Sequence, residues 1–289
     1  MVRPTLRLAA PGALAQGLGR WRGAPDRIRT CALRLRSQGY QFDVNYTLSK
    51  SEDLASSVER GDAWFPQGMG GTSGLLGNPW QPERQWGPSD FDIRHQLNVN
   101  AVASLPFGRG KKWGGDASNL VNAIINDWSV SGLLRLTSGF PFNVSNCSAC
   151  WATDWMIIGN AELATPGVLP ETQVTKDGPG GWPNAYANPD AALAYFRKDL
   201  PGEVGIRNQL RGDGYFTVDL SVSKAWSVPH GWLRFRWDTF NLTNAVRFDT
   251  STVTMFPDSA TTFGRYNSTL ATCDGRAGRC MQFGLNYQF

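Results

Sequence analysis

From residue 40 the hydrophobic and polar positions of the chain alternate. Tyr40, Phe42, Val44, Tyr46 and Leu48 are separated by Gln41, Asp43, Asn45 and Thr47. Period two is the signature of a strand with one apolar and one wet face; on a helix the same residues would scatter around the axis. The pattern returns at Leu97, Val99, Ala101, Ala103 and Leu105. It returns again at Trp128, Val130, Leu134 and Leu136, and at Phe216, Val218, Leu220 and Val222. Leu233, Phe235 and Trp237 oppose Arg234, Arg236 and Asp238, and Met281, Phe283, Leu285, Tyr287 and Phe289 close the series. Six antiparallel strands are predicted, near 38–50, 95–106, 127–137, 214–226, 232–242 and 280–289. Each approaches the 9–11 residues of a tilted membrane-crossing strand. One short helix is predicted within Ala187–Lys198, where Asn-Pro precedes an Ala- and Leu-rich stretch.

The connections alternate in length as well. Long stretches, about 50–90, 138–212 and 243–278, follow the first, third and fifth runs. The others are closed by shorter segments, Phe107–Asn126 and Ser227–Gly231. Long loops at one end and short turns at the other are the organisation of outer-membrane barrels, whereas sandwich loops rarely reach tens of residues repeatedly. The polar face carries Asp43, Arg135, Asp219, Arg234, Arg236 and Asp238 within the strands, as a wet lumen wall would. Tyr40, Tyr46, Trp128, Trp226, Trp237 and Tyr287 stand near strand ends, where aromatic girdles meet the membrane interface. The fold class expected is all-β: a transmembrane antiparallel β-barrel segment of about six strands with long outward loops. Such a segment is incomplete on its own, because even small barrels need about eight strands.

Composition agrees. Of 289 residues 41% are hydrophobic and only 18% charged, with 32 glycines and 12 tryptophans. No run approaches the roughly 18 apolar residues of a membrane helix. The net charge of +4 is concentrated at the start: residues 1–37 hold eight arginines against Asp26, a net of +7, which leaves −3 for the rest. A nucleic-acid partner is therefore not expected. The apolar stretch Leu8–Ala15 is too short for a secretory signal and is broken by Pro11. Residues 1–37 are expected to be a basic leader, disordered or outside the fold, and 38–289 the barrel portion.

Four segments carry a resemblance: FDIRHQLNVNAVASLPFGRGKKW (Phe91–Trp113), WSVSGLLRLTSGFPFNV (Trp128–Val144), FNLTNAVRF (Phe240–Phe248) and MQFGLNYQF (Met281–Phe289). In this order they resemble the last part of Oar-like TonB-dependent outer-membrane receptors, over about residues 38–289. The resemblance implies a bacterial outer-membrane protein for nutrient uptake. Its full form would have a 22-stranded barrel, a plug inside it and a peptide that engages TonB. No plug-like or TonB-contacting segment is read in this chain, so it is expected to be a receptor fragment or truncated gene product that reaches TonB only through segments it lacks. The expected partners are outer-membrane lipid, the barrel-assembly machinery and the missing remainder of the receptor. In the resemblance Phe283, Leu285, Tyr287 and Phe289 form the C-terminal signal that the assembly machinery reads.

Candidate chemistry changes this picture little. Cys147 and Cys150 have CxxC spacing, and Cys273 and Cys280 form a second close pair. With only His95 and His230 to add, a four-ligand zinc site is not expected; loop disulfides are the favoured reading, with Cys31 left over. No catalytic residue, metal or cofactor is expected, and no enzyme: there is no GxSxG, HExxH or Walker A pattern. His95 beside Arg94 and Asp92 reads as an acid/base group or, better, as a structured strand start. Arg211-Gly212-Asp213 is an adhesion-type tripeptide, a match short enough to arise by chance. A surface-exposed binding or adhesion protein is the alternative function, using Trp64, Trp80, Trp86, Trp151, Trp155 and Trp182 to stack on sugars or partners.

Overall fold

A computed structural model of the chain describes residues 28–37, 39–54, 56, 78, 80–145, 160–200, 202–254, 256–257 and 259–289, together with the short strand Arg7–Leu8. Seven long strands form one antiparallel sheet in chain order. They are β1 (Arg29–Ser37), β2 (Tyr40–Leu48), β3 (His95–Ser104), β4 (Trp128–Thr137), β5 (Tyr215–Val228), β6 (Gly231–Phe240) and β7 (Cys280–Gln288). All six runs read from period two are strands, and each pairs with its neighbours in sequence.

The boundary expected at residue 37 is corrected to 29. Arg29–Ser37 is a nine-residue strand paired with β2 along its whole length. Its arginines read as a leader, but Cys31, Leu33 and Leu35 also alternate, and they pair with Tyr46, Val44 and Phe42. Arg34 falls opposite Asp43 and forms an ion pair with it. A charged face is therefore the wet face of a strand here, and not a sign of disorder. Arg7–Leu8 adds to the outer edge of β1; the rest of 1–27 lies outside the described residues.

The register aligns side chains into two surfaces. One row runs Leu33, Val44, Val99, Leu134, Val218 across five strands, and Phe235 with Leu285 and Trp237 with Phe283 continue the same face. The opposite face has the row Ala32, Asn45, Asn98, Arg135, Thr217. Its charges are answered locally. Gln41 donates to Asp43 at 2.8 Å, Arg236 to Asp238 at 2.7 Å and Thr217 to Asp219 at 3.1 Å. Tyr40, Trp128, Trp226 and Tyr287 lie toward the short-turn end and Tyr46 toward the other, while Trp237 sits farther in and stacks on Phe283 at 6.3 Å.

The packed core lies elsewhere. Among the described residues, no apolar side chain of the seven strands is fully buried; the buried ones all belong to the long connections. A soluble sandwich would have the reverse, since its core is the apolar faces of its own sheets. The connections β4–β5 and β6–β7 share one cluster. Tyr186 stacks on Phe263 at 5.1 Å, Phe196 meets Phe263 edge-on at 5.9 Å, and Phe248 meets Tyr266 at 5.1 Å. Each buried aromatic contributes about 1.5–3 kcal/mol. The β2–β3 connection joins this body through polar contacts. The buried Arg207 guanidinium binds Asp53 at 2.7 Å and also faces Asp90, and Asn208 donates to the Pro88 carbonyl at 2.8 Å. Three long loops from one end of the sheet thus fold into a single body. Within it the predicted helix occurs as Pro189–Leu193, with Asn188 capping its first turn through the Ala191 amide at 3.1 Å.

Candidate functional site

The loop body meets the wet face of the sheet around a cavity of about 560 Å³. From the sheet, Gln96 of β3, Arg135 and Thr137 of β4 and Tyr215 of β5 line it; from the loops come Phe140, Phe142, Asp213, Phe248 and Asp249. The sequence makes this mouth by local means. Gly139 follows β4 where the chain passes against another backbone: a methyl there would lie 1.9 Å from the Gly212 carbonyl oxygen. Only glycine fits that approach. Pro141–Phe142 then pairs with Leu210–Arg211 and fixes both sides of the opening. The segment Phe240–Phe248 is a second fixed turn. Asn241 and Asn244 both take left-handed backbone, with φ of 52° and 53°, which asparagine tolerates well. The Asn241 side chain accepts from the Ala245 amide and donates to its carbonyl, each at 3.0 Å. This turn carries Arg247 to Tyr215, whose hydroxyl accepts from the guanidinium at 2.9 Å.

The acids around the cavity differ in use. Asp249 caps the next turn by accepting from the Ser251 amide at 3.0 Å and its hydroxyl at 2.6 Å. Asp90 accepts from Asn208 at 2.5 Å. Asp213 is half-buried, and burial pushes its carboxyl above the usual carboxylate range, against a smaller pull from the Gly214 amide. Its own amide donates to the Tyr266 hydroxyl at 3.2 Å, and burial pushes that phenol up to about 12. The wall is largely aromatic and apolar, with Arg135 set against the acids Asp90, Asp213 and Asp249. Such a lining suits a small ligand with an apolar body and a few polar groups.

Several residues singled out in the sequence lie away from this cavity. The buried Asp92 carboxylate accepts from the Ser51 amide at 2.7 Å and forms ion pairs with Arg94, at 2.9 Å, and with Arg211. His95 Nδ1 is 2.8 Å from the Tyr46 hydroxyl. This group clamps the start of β3 to the loops. In Arg211-Gly212-Asp213 the arginine is held by Asp92 and a side chain on Gly212 would collide with Thr250, so the tripeptide is a packed joint, of which Asp213 alone reaches the cavity. Cys273 and Cys280 are joined in a disulfide and Cys31 is free and exposed. Cys147 and Cys150 lie outside the described residues, as do Trp64, Trp151 and Trp155. Trp80, Trp86 and Trp182 are exposed, with the Arg265 guanidinium 3.7 Å from the Trp182 ring centre. Phe283, Leu285 and Tyr287 are exposed along the edge strand β7, and Phe289 directly after it. No cluster of metal-binding side chains occurs among the described residues.

Sequence reasoning missed the cavity itself. Its residues come from three connections and three strands, and only the folded register brings Thr137 opposite Tyr215. The signal available was the stretch Ser138–Val144, whose Gly and Pro mark a fixed turn directly after a strand.

Comparison with known proteins agrees with this architecture. No curated protein and no solved structure matches the chain. The profile of one family, described as the outer membrane beta barrel domain, matches residues 31–282. That span begins inside β1 and ends inside β7, so it takes in most of β1, all of β2 to β6, the start of β7 and all three long loops. The chain is a bacterial outer-membrane β-barrel protein, a member of the outer membrane beta barrel domain family.

Proposed function

We propose that the chain forms the C-terminal barrel wall and ligand-capturing loops of an Oar-like TonB-dependent receptor for nutrient uptake. The observation that supports this reading best is the loop body. Two of the three long connections share a core, a polar clamp joins the third to them, and their cavity opens on the wet wall of the sheet. A ligand held there would touch the wall along which it has to pass. The chain itself would do no covalent chemistry; its role is to bind and to line a path. The exposed edge residues Phe283, Leu285, Tyr287 and Phe289 would be read by the barrel-assembly machinery.

The alternative is a surface-binding or adhesion role without active transport. It draws on Trp80 and Trp182, which project from the loops with exposures of 90% and 49%. Uptake separates the two readings. Cells carrying the full receptor should accumulate a labelled nutrient from a defined mixture, and cells without TonB should not. Tyr215→Ala should lower the accumulation. Surface binding that is unchanged without TonB, with no accumulation in either strain, would contradict the transport reading and favour adhesion.

A further inference from the structure

The β3–β4 connection holds a helix that sequence reasoning did not predict: α1, Asn119–Ile125, capped by the Ser118 side chain. Its apolar residues Leu120, Val121 and Ile124 are exposed at 82%, 47% and 67%. They share one side of the helix with Ile125, while Asn119 and Asn122 lie on the other.

Two observations place this apolar side against the same medium as the sheet. The first is its attachment. Trp128 and Trp226 belong to the apolar face at the short-turn end. Their indole N–H groups donate to the helix, Trp128 to the Ile124 carbonyl at 2.7 Å and Trp226 to the Ala123 carbonyl at 3.0 Å. Lys224, from the same face, lies 5.8 Å from the Trp128 ring and 5.1 Å from the Trp226 ring and donates to the Asn126 carbonyl. Helix-end carbonyls are otherwise left for water. Where water is scarce they must be satisfied within the protein. Here three side chains from the apolar face do so.

The second observation is the turn that precedes the helix. Gly108, at φ 112°, packs so closely on Asn126 that a methyl there would lie 2.7 Å from its side-chain oxygen. The Arg109 amide donates to the Asn122 side chain at 2.7 Å. The turn ends on Trp113, itself 49% exposed, with the Lys112 ammonium 4.9 Å from its ring centre. Exposed apolar side chains, an indole and a lysine thus stand together at one rim of a membrane-facing wall. That is the composition of an interfacial helix, apolar below and polar above.

We propose that α1 is an in-plane membrane anchor: Leu120, Val121 and Ile124 insert into the phospholipid leaflet at the short-turn end, beside the strands. Trp113 and Lys112 then meet the headgroups. The occupant is lipid and not a protein partner, because the patch continues the lipid-facing surface through Trp128 and Trp226. The proposal rests on membership of the outer-membrane barrel family and is independent of the transport reading.

The test uses single cysteines at Leu120, Ile124 and Asn119, each labelled with an environment-sensitive fluorophore. The protein is placed in phospholipid vesicles and read against the same chain without the added cysteine. Labels at 120 and 124 are expected to emit to the blue of the label at 119. They are expected to lose emission when the vesicles contain lipid brominated near the headgroup end of the acyl chain. Emission at 120 and 124 as red as at 119 would overturn the proposal. So would blue emission that brominated lipid leaves unchanged, which would mean that protein covers the helix.

Discussion

At the scale of single residues, two side chains of the loop body carry opposite consequences. Asp213 is held above the usual carboxylate range by burial. The folded chain therefore binds its proton more tightly than the unfolded chain does. The ionised form costs stability above the raised value, and the cost disappears as pH falls through it. Asp213→Asn keeps an acceptor for the Gly214 amide and removes the charge. Its loops are expected to resist protease better than wild type at neutral pH, and the difference should close in acid. Arg207 behaves in the other direction. Its guanidinium is buried and holds Asp53 and Asp90, which retain some contact with water. Arg207→Ala is expected to cost about 2–3 kcal/mol, below the ~3–5 of a wholly buried pair, and to free the β2–β3 connection first. Hydrogen exchange across residues 80–92 measures that. Neither role was legible in the sequence. Arg207 is one arginine among many, and Asp213 drew notice as part of an adhesion tripeptide. What determines both is burial by residues more than thirty positions away.

Secondary-structure elements were read far better, and the reason is physical. A spanning strand must present one face to lipid and one to water along its whole length, so its period is strict. β2 to β7 declare themselves this way. β1 obeys the same rule, but Arg34 and Arg36 stand on its wet face and Arg29 at its start, and the charge hid the period. The short helix at Pro189–Leu193 was legible because capping is a local matter of Asn188 and the proline after it. Asn188→Ala is expected to cost about 1 kcal/mol, seen as faster amide exchange over residues 189–194. α1 was missed because its exposed leucine and isoleucine make sense only beside the lipid-facing wall. The two faces of β3 offer the sharpest contrast at this scale. Val99→Arg is expected to cost about 2–4 kcal/mol in the membrane, and Asn98→Arg far less, because only the first places charge against lipid. Folding titrations of the protein in bilayers would compare them.

At the scale of the whole molecule, the chain divides into a sheet that is apolar outside and polar within, and a loop body that holds the packed core. This division was half visible in the sequence. Loop lengths and strand faces showed the membrane plan, whereas the shared core of the loops depends on contacts between residues such as Tyr186 and Phe263, which no local pattern reports. Among the described residues, both long edges of the sheet belong to β1 and β7, with Arg7–Leu8 added at the edge of β1. Open edges of this length seek partners. The 289-residue chain, without detergent or membrane, is therefore expected to aggregate, as sedimentation would show.

In the membrane the apolar face of the sheet meets lipid and the polar face a wet interior. Stability cannot separate this from a soluble sandwich, since apolar-face substitutions weaken both. Thiol reactivity in intact outer membranes can. Cysteines placed singly at Tyr46, Val99, Leu134, Val218, Phe235 and Phe283 are expected to react with a lipid-soluble probe and resist a charged one. Cysteines at Asn45, Asn98, Arg135, Asp219, Arg236 and Gln282 are expected to show the reverse. Equal labelling of both sets by the charged probe, or protection of the apolar set from both probes as in a packed protein core, would contradict the account.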